Sequence, residues 1–193
     1  MSLLKALRAQ LGLSGTATNN FTITAEAADG SMKLARGNAG ATTQDVLTVT
    51  SGGVVKTPQN LVAVSAYNAS AQTISTGAPR KVILPTEHFD TGNAFDSTTN
   101  YRFQPTVAGY YQINGAVVVA AVTTYSFVYI LKNGVELKAG PELGNCYGGS
   151  VSGLVYLNGS TDYVELWAAT GTTVDTIAGA SYCWFDGHLL GAA

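Results

Sequence analysis

The chain has 193 residues, 46% of them hydrophobic, and a net charge of −2 with only 11% charged side chains. That hydrophobic content is ample for a packed core and argues against disorder of the whole chain. Charge this far below the roughly 25% usual for soluble domains points to surface buried between subunits. No basic cluster could neutralise a run of phosphates, so nucleic acid is not an expected partner. No apolar run approaches the roughly 20 residues of a membrane helix, so no membrane insertion is expected either.

Residues 1–60 hold five basic and three acidic side chains, and residues 61–193 hold five basic and nine acidic. Phe21 is the only aromatic residue before position 61, which places the expected core in the C-terminal two-thirds. Cys146 and Cys183 are too few for a disulfide framework and read as free thiols, with a single bridge left open.

Residues 2–11 contain strong helix formers, with Ser2 as N-cap and Gly12 as stop, and are expected to form a short helix. Leu3, Leu4, Leu7 and Leu11 fall on one face of it. A helix of this length is marginal alone in water, so the leucine stripe needs a surface, either in its own domain or on another chain. Residues 13–20 read as a flexible linker.

From Phe21 the period becomes two. Phe21, Ile23, Ala25 and Ala27 alternate with Thr22, Thr24 and Glu26, and Asp29-Gly30 turns the chain. Met32 to Ala35 and Val46 to Thr50 follow as strands, and Gly52-Gly53 turns into Val54-Val55. A meander with one aromatic residue cannot bury enough area to stand alone, whereas three copies around an axis could.

After Pro58 the strand candidates lengthen: Leu61 to Tyr67, Lys81 to Leu84, Tyr101 to Phe103, Tyr110 to Ala120, Tyr125 to Lys132, Val151 to Leu157, Tyr163 to Ala169 and Tyr182 to Leu190. Asn133-Gly134 and Asn158-Gly159 are tight-hairpin pairs. About eight strands with regular turns suit a jelly-roll β-sandwich. The expected organisation is a helix and linker at 1–20, a β-rich stalk at 21–60 and a jelly-roll head at 61–193. In the strand Tyr125 to Lys132, Phe127 and Tyr129 on one face oppose Val128 and Ile130 on the other, so both faces require cover and a neighbouring subunit is expected. Trp184 and Phe185 in the last strand are read the same way, as core or subunit interface.

Several motifs in the head resemble those of the globular head of complement subcomponent q, a family with a tumour-necrosis-factor-like trimeric jelly roll. Phe95-Asp96-Ser97-Thr98-Thr99 is similar to its aromatic-Asp turn, and Phe103 with Val107-Ala108-Gly109-Tyr110-Tyr111 to its Phe-x-x-Pro-Val-x-Gly-x-Tyr stretch. Lys132-Asn133-Gly134 resembles the close of its next long strand, and Leu157-Asn158-Gly159 with Asp162-Tyr163-Val164-Glu165-Leu166 its Leu-x-x-Gly-Asp-x-Val-x-Leu segment, with two residues inserted between Gly159 and Asp162. Phe185-Asp186-Gly187-His188-Leu189-Leu190 resembles its terminal Phe-x-Gly-x-Leu-Leu. No Gly-X-Y collagen repeat precedes the head. The stretch from Asp29 to Val55 resembles a segment of tailed-bacteriophage fibre and virion-surface proteins that precedes interchangeable heads. Together the two resemblances imply an all-β homotrimer: a virion structural protein, fibre or capsid decoration, assembled in the host cytoplasm. Its N-terminus would attach to other virion proteins through Leu3, Leu4, Leu7 and Leu11. The alternative is a receptor-binding tail-fibre tip recognising a host-surface glycan or protein.

Chemistry is sparse. His88 and His188 are the only histidines, and Asp186-Gly187-His188 reads as a strand end rather than a catalytic pair. Asp90-Thr91-Gly92-Asn93-Ala94-Phe95-Asp96 could offer oxygens to Ca²⁺ but lacks the spacing of a dedicated loop, and turn-fixing is the preferred reading. No catalytic, cofactor-binding or metal residue is therefore assigned, and no enzyme is expected. Loop aromatics that could stack on a sugar are Tyr147 and, less so, Tyr125.

Overall fold

Alternation of apolar and polar residues governs both parts of the chain, and every regular element among the described residues is a strand. The computed structural model describes residues 8–11, 20–25, 28–38, 41–57 and 62–193. Contacts divide the chain into Met1–Asn60 and Leu61–Ala193.

The first unit is an antiparallel meander of five strands in sequence order: β1 (Arg8–Leu11), β2 (Phe21–Ala25), β3 (Met32–Asn38), β4 (Ala41–Val49) and β5 (Val55–Lys56). The Asp29-Gly30 turn is held by Asp29 Oδ1, which accepts from the Ser31 amide at 2.9 Å, with Gly30 at φ 70°. The helix expected over residues 2–11 is not what forms at its C-terminal end. Arg8–Leu11 is a strand, with Leu11 opposite Phe21 and Arg8 opposite Thr24. Ten residues gain too little from helical propagation to outweigh pairing with a neighbouring strand that satisfies the same backbone groups. Leu3, Leu4 and Leu7, and most of the expected 13–20 linker, lie outside the described residues.

The second unit has twelve strands: β6 (Ala63–Tyr67), β7 (Thr73–Ile74), β8 (Arg80–Lys81), β9 (Thr86–Asp90), β10 (Phe95–Asp96), β11 (Arg102–Phe103), β12 (Ala108–Lys132), β13 (Val135–Ala139), β14 (Leu143–Asn158), β15 (Val164–Thr170), β16 (Val174–Asp175) and β17 (Trp184–Ala192). The strands expected at 110–120 and 125–132 are one, β12, whose register against β14 breaks between Val118 and Thr123. Before the break β12 runs between β17 and β14; after it, β12 keeps β14 as a neighbour through Thr123 to Ser126 and pairs with β15 and β13. A single strand thus passes from one sheet to the other. The first sheet runs β9-β6-β17-β12-β14, and the second runs β10-β11-β15-β12-β13 with β8 beside β15. This is a jelly-roll sandwich.

Its core lies between the sheets. Tyr111, Ile113 and Val117 from the first half of β12 and Val128 and Ile130 from the second are buried with Phe103, Leu166 and Phe185. At Gly115 the sheets come so close that a Cβ would collide with the Leu166 methyl groups. Phe103 meets the Tyr111 ring edge-on at 5.5 Å, and the Tyr111 hydroxyl donates to Val107 O at 2.7 Å. Burial pushes that phenol up to about 12.

The hairpin between β12 and β13 turns at Asn133 (φ 53°) and Gly134 (φ 78°), the positive pair that a tight right-twisting hairpin demands. Asp162 fixes it to the next turn. Its Oδ2 lies 2.8 Å from Lys132 Nζ and accepts from the Asn158 amide at 3.1 Å, and its Oδ1 accepts from Asn133 Nδ2 at 2.8 Å. The Lys132 ammonium and the Asn133 amide together hold the Asp162 carboxyl below the usual range.

Candidate functional site

Alternation along β12 aims Tyr111, Ile113 and Val117 into the core and therefore Tyr110, Gln112, Asn114 and Ala116 to the outer face of the first sheet. Strand pairing then assembles that face in rows. Tyr110 stands opposite Tyr156, with ring centroids 5.5 Å apart, and Gln112 stands between Leu154 and His188. Asn114 lies between Ser152 and Asp186, and Ala116 between Ser150 and Trp184. One end of the face is apolar and open: Tyr110 is 51% exposed, Leu154 52% and Leu190 58%. The middle is a closed polar cluster. Gln112 Nε2 donates to Ser152 Oγ at 2.9 Å and to Asn114 Oδ1 at 3.1 Å, and Ser152 Oγ donates to Asn114 Oδ1 at 2.8 Å. At the far end Trp184 pairs with Tyr67, whose ring lies 4.7 Å from that of His88.

The first unit also has an open apolar face. Register places Ile23 opposite Leu34 and Leu34 opposite Leu47, while Met32 lies opposite Ala25 and Val49. Phe21, Ala25, Met32 and Val55 are exposed and Ile23, Leu34, Leu47 and Val49 are half-buried, whereas Thr22, Thr24 and Ala35 on the opposite face are buried. Thr22 satisfies its hydroxyl by donating to Gly37 O at 2.9 Å.

The residues singled out from sequence divide between core and surface. Phe185 is buried, with its ring 5.6 Å from Phe95 and 6.2 Å from Phe103, while its neighbour Trp184 is half-buried on the outer face. Phe127 and Tyr129 lie on the outer face of the second sheet, stacked at 5.6 Å and half-buried, while Val128 and Ile130 between them enter the core. Tyr147, in β14, is exposed. Both cysteines are free; burial raises the thiol of Cys183, which donates to Val118 O. Ser65, Asp186 and His188 line a cavity of about 300 Å³ on the first sheet, but no hydrogen bond joins any of the three, so no nucleophile–base relay is assembled.

The Asp90–Asp96 loop uses its carboxylates as turn clasps. Asp90 accepts from the amides of Gly92, Ala94 and Phe95 at 2.6–3.1 Å. Asp96 Oδ1 accepts from the Thr98 amide and hydroxyl and from the Thr99 amide, and its Oδ2 from the Asn100 amide and side chain. The Thr99 amide contributes most to holding the Asp96 carboxyl far below its usual value, and the Asn100 side chain adds to it. Beside this loop a cavity of about 340 Å³ is lined by Asn93, Asp96, Arg102, Gln104, Thr106 and Ser160 over a floor of Ala94 and Phe95. Arg102 lies over the Tyr163 ring at 4.3 Å. Asn93 (φ 48°) in the cavity wall and Tyr101 (φ 49°), the residue before Arg102, have left-handed backbone, which for a residue as bulky as tyrosine costs about 1–2 kcal/mol. Sequence reading missed this cavity because Arg102 and Gln104 belong to one strand edge, Asn93 to a turn and Ser160 to a loop 56 residues beyond Gln104; only pairing across the fold unites them.

No family model matches the sequence, and no curated protein does. The fold itself is shared with the tumour-necrosis-factor-like proteins. The structure of murine APRIL matches at 10% identity with a TM-score of 0.54, over 67% of this chain and 99% of that one. Eiger TNF from S. frugiperda matches at 9% identity and 0.54, over 69% and 95%. PRD1 vertex protein P5 superposes at a TM-score of 0.46 with 12% identity, over 69% and 98%, a likeness too slight to bear on function.

Proposed function

We propose that the protein is a homotrimeric structural protein of a bacteriophage virion, a fibre or capsid decoration that joins the particle through its N-terminal unit and projects the jelly-roll head. The observation that carries this reading is that both units leave an apolar sheet face open within one chain: Ile23, Met32 and Leu34 in the first, Tyr110, Leu154 and Leu190 in the second. Contiguous apolar surface marks a contact surface, and a closed ring of identical subunits covers it on every copy. The tumour-necrosis-factor-like fold of the head supports a threefold ring. The particle itself enters through the resemblance of Asp29 to Val55 to virion-surface proteins of tailed phages. The role is architectural rather than catalytic, and attachment through Leu3, Leu4, Leu7 and Leu11 belongs to the same reading.

Mass spectrometry of purified particles, with imaging of labelled protein on them, tests it. The protein is expected in the particle at a copy number divisible by three; particles that lack it overturn the proposal. Specific binding of the isolated head to host cells would favour the second reading, a receptor-binding tip, for which the exposed Tyr147 is the sequence-derived contact.

A further inference from the structure

The cavity beside the Asp90–Asp96 loop holds one cation whose donors are unspent. One face of the Arg102 guanidinium lies against Tyr163, and its N–H edges make no hydrogen bond or ion pair within the described residues. A guanidinium is a planar fork of five donors with no acceptor and stays charged. Stacked on a ring, it has less freedom to lose when a ligand arrives. The surrounding groups are neutral and also available. Within the described residues Asn93 and Thr106 make no side-chain hydrogen bond, and Gln104 spends its Nε2 on Ser160 O at 2.8 Å, leaving its Oε1 as an acceptor. Asp96 shares the cavity, but its two oxygens are engaged by Thr98, Thr99 and Asn100. Its charge nevertheless offsets that of Arg102, so a ligand must bring hydroxyls as well as a negative group. Asn93, in left-handed backbone, lines the same cavity, and the left-handed Tyr101 directly precedes Arg102 in the chain.

We infer that this cavity binds a carboxylated sugar, such as a uronic-acid unit of a surface polysaccharide, with Arg102 gripping the carboxylate and Asn93, Gln104 and Thr106 meeting ring hydroxyls. The site goes beyond the virion reading and does not require it. A bidentate carboxylate satisfies the Arg102 fork, and hydroxyls, each donor and acceptor, suit the mixed amides around it.

Calorimetric titration of the full chain with glucuronate, glucose, N-acetylglutamate and inorganic phosphate tests the assignment. Glucuronate should bind roughly tenfold or more tightly than glucose, the worth of one charge-assisted hydrogen bond, and more tightly than the other two anions. Arg102→Ala should lose about tenfold and Arg102→Lys several-fold, because a point charge lacks the fork. Asn93→Gly keeps the left-handed backbone while removing the amide, so it should weaken glucuronate with an unchanged melting curve. Failure of glucuronate to bind, equal binding of glucose, or wild-type affinity in Arg102→Ala and Asn93→Gly overturns the site. Equal binding of N-acetylglutamate would make it an acidic-peptide site, and equal binding of phosphate a plain anion site; either overturns the sugar assignment. Light scattering on the same samples reports self-association separately, so the two proposals can fail independently.

Discussion

The two units solve the same problem of a β-sheet's apolar face in opposite ways. The head folds one long strand across two sheets, so that Ile113 and Val117 of one sheet face Leu166 of the other and its motif residues clasp the loops. The N-terminal unit has, among its described residues, a single sheet and leaves Ile23, Met32 and Leu34 partly in water while Thr22 and Thr24 are covered. A sandwich closes its own core within one chain; a lone sheet must borrow cover. The head should therefore owe its stability to its interior, and the N-terminal unit should owe its own to association.

The largest effect that sharpens this contrast is Phe185→Ala. It removes a buried ring packed on Phe95 and Phe103 and should cost about 3–5 kcal/mol, read in a chemical denaturation of the head. A loss below about 1 kcal/mol would show that the sandwich is not closed as described. Asp162→Ala comes next, at roughly 1–2 kcal/mol, since it removes the ion pair with Lys132, which keeps its bond to Tyr156 O, and releases the Asn133 and Asn158 donors.

Both Asp96 and Asp162 have folded carboxyl values below their unfolded ones, so the unfolded chain binds more protons as the pH falls. Their stabilisation is full above the ordinary carboxylate range of about 4 and is lost as pH falls through the lower folded values. Head stability should accordingly fall from about pH 5 downward, and Asp162→Asn should flatten that slope; an unchanged slope would remove Asp162 from the account.

Phe127→Ala truncates a half-buried ring stacked on Tyr129 and should cost only about 1–2 kcal/mol in an isolated chain. A larger loss that depends on protein concentration would place a neighbouring subunit over that face. Smallest in a monomer's terms is Leu154→Ser, expected within about 0.5 kcal/mol because the side chain is 52% exposed.

The strands of the head were legible where alternation is long and turn chemistry explicit, as along Tyr110 to Ala120 and at Asn133-Gly134. The family-like motifs were legible too, and the structure gives them a common meaning: Asp96, Tyr111 and Asp162 are loop clasps, so they track the fold and not a ligand. Strand β13 was not legible although Val135, Leu137 and Ala139 alternate with Glu136 and Lys138, because the segment is only five residues long and exposed along its whole length, so no buried face accompanies the alternation. The strand at Arg8–Leu11 was not legible because the leucine spacing of residues 2–11 fits a helix, while the pairing of Leu11 with Phe21 depends on residues ten positions on. That pairing also bears on truncation. Removing residues 1–20 would delete an edge strand, so the attachment role of the N-terminus is better tested by removing residues 1–7.

Light scattering of the full chain beside Tyr110→Ser/Leu154→Ser measures the dependence on association most directly. Wild-type protein at micromolar concentration should show three times the 20.0 kDa chain mass, and the double variant, with the head still folded, should fall to one. Wild-type protein at the mass of a single chain, or a double variant that keeps the threefold mass, would contradict the account.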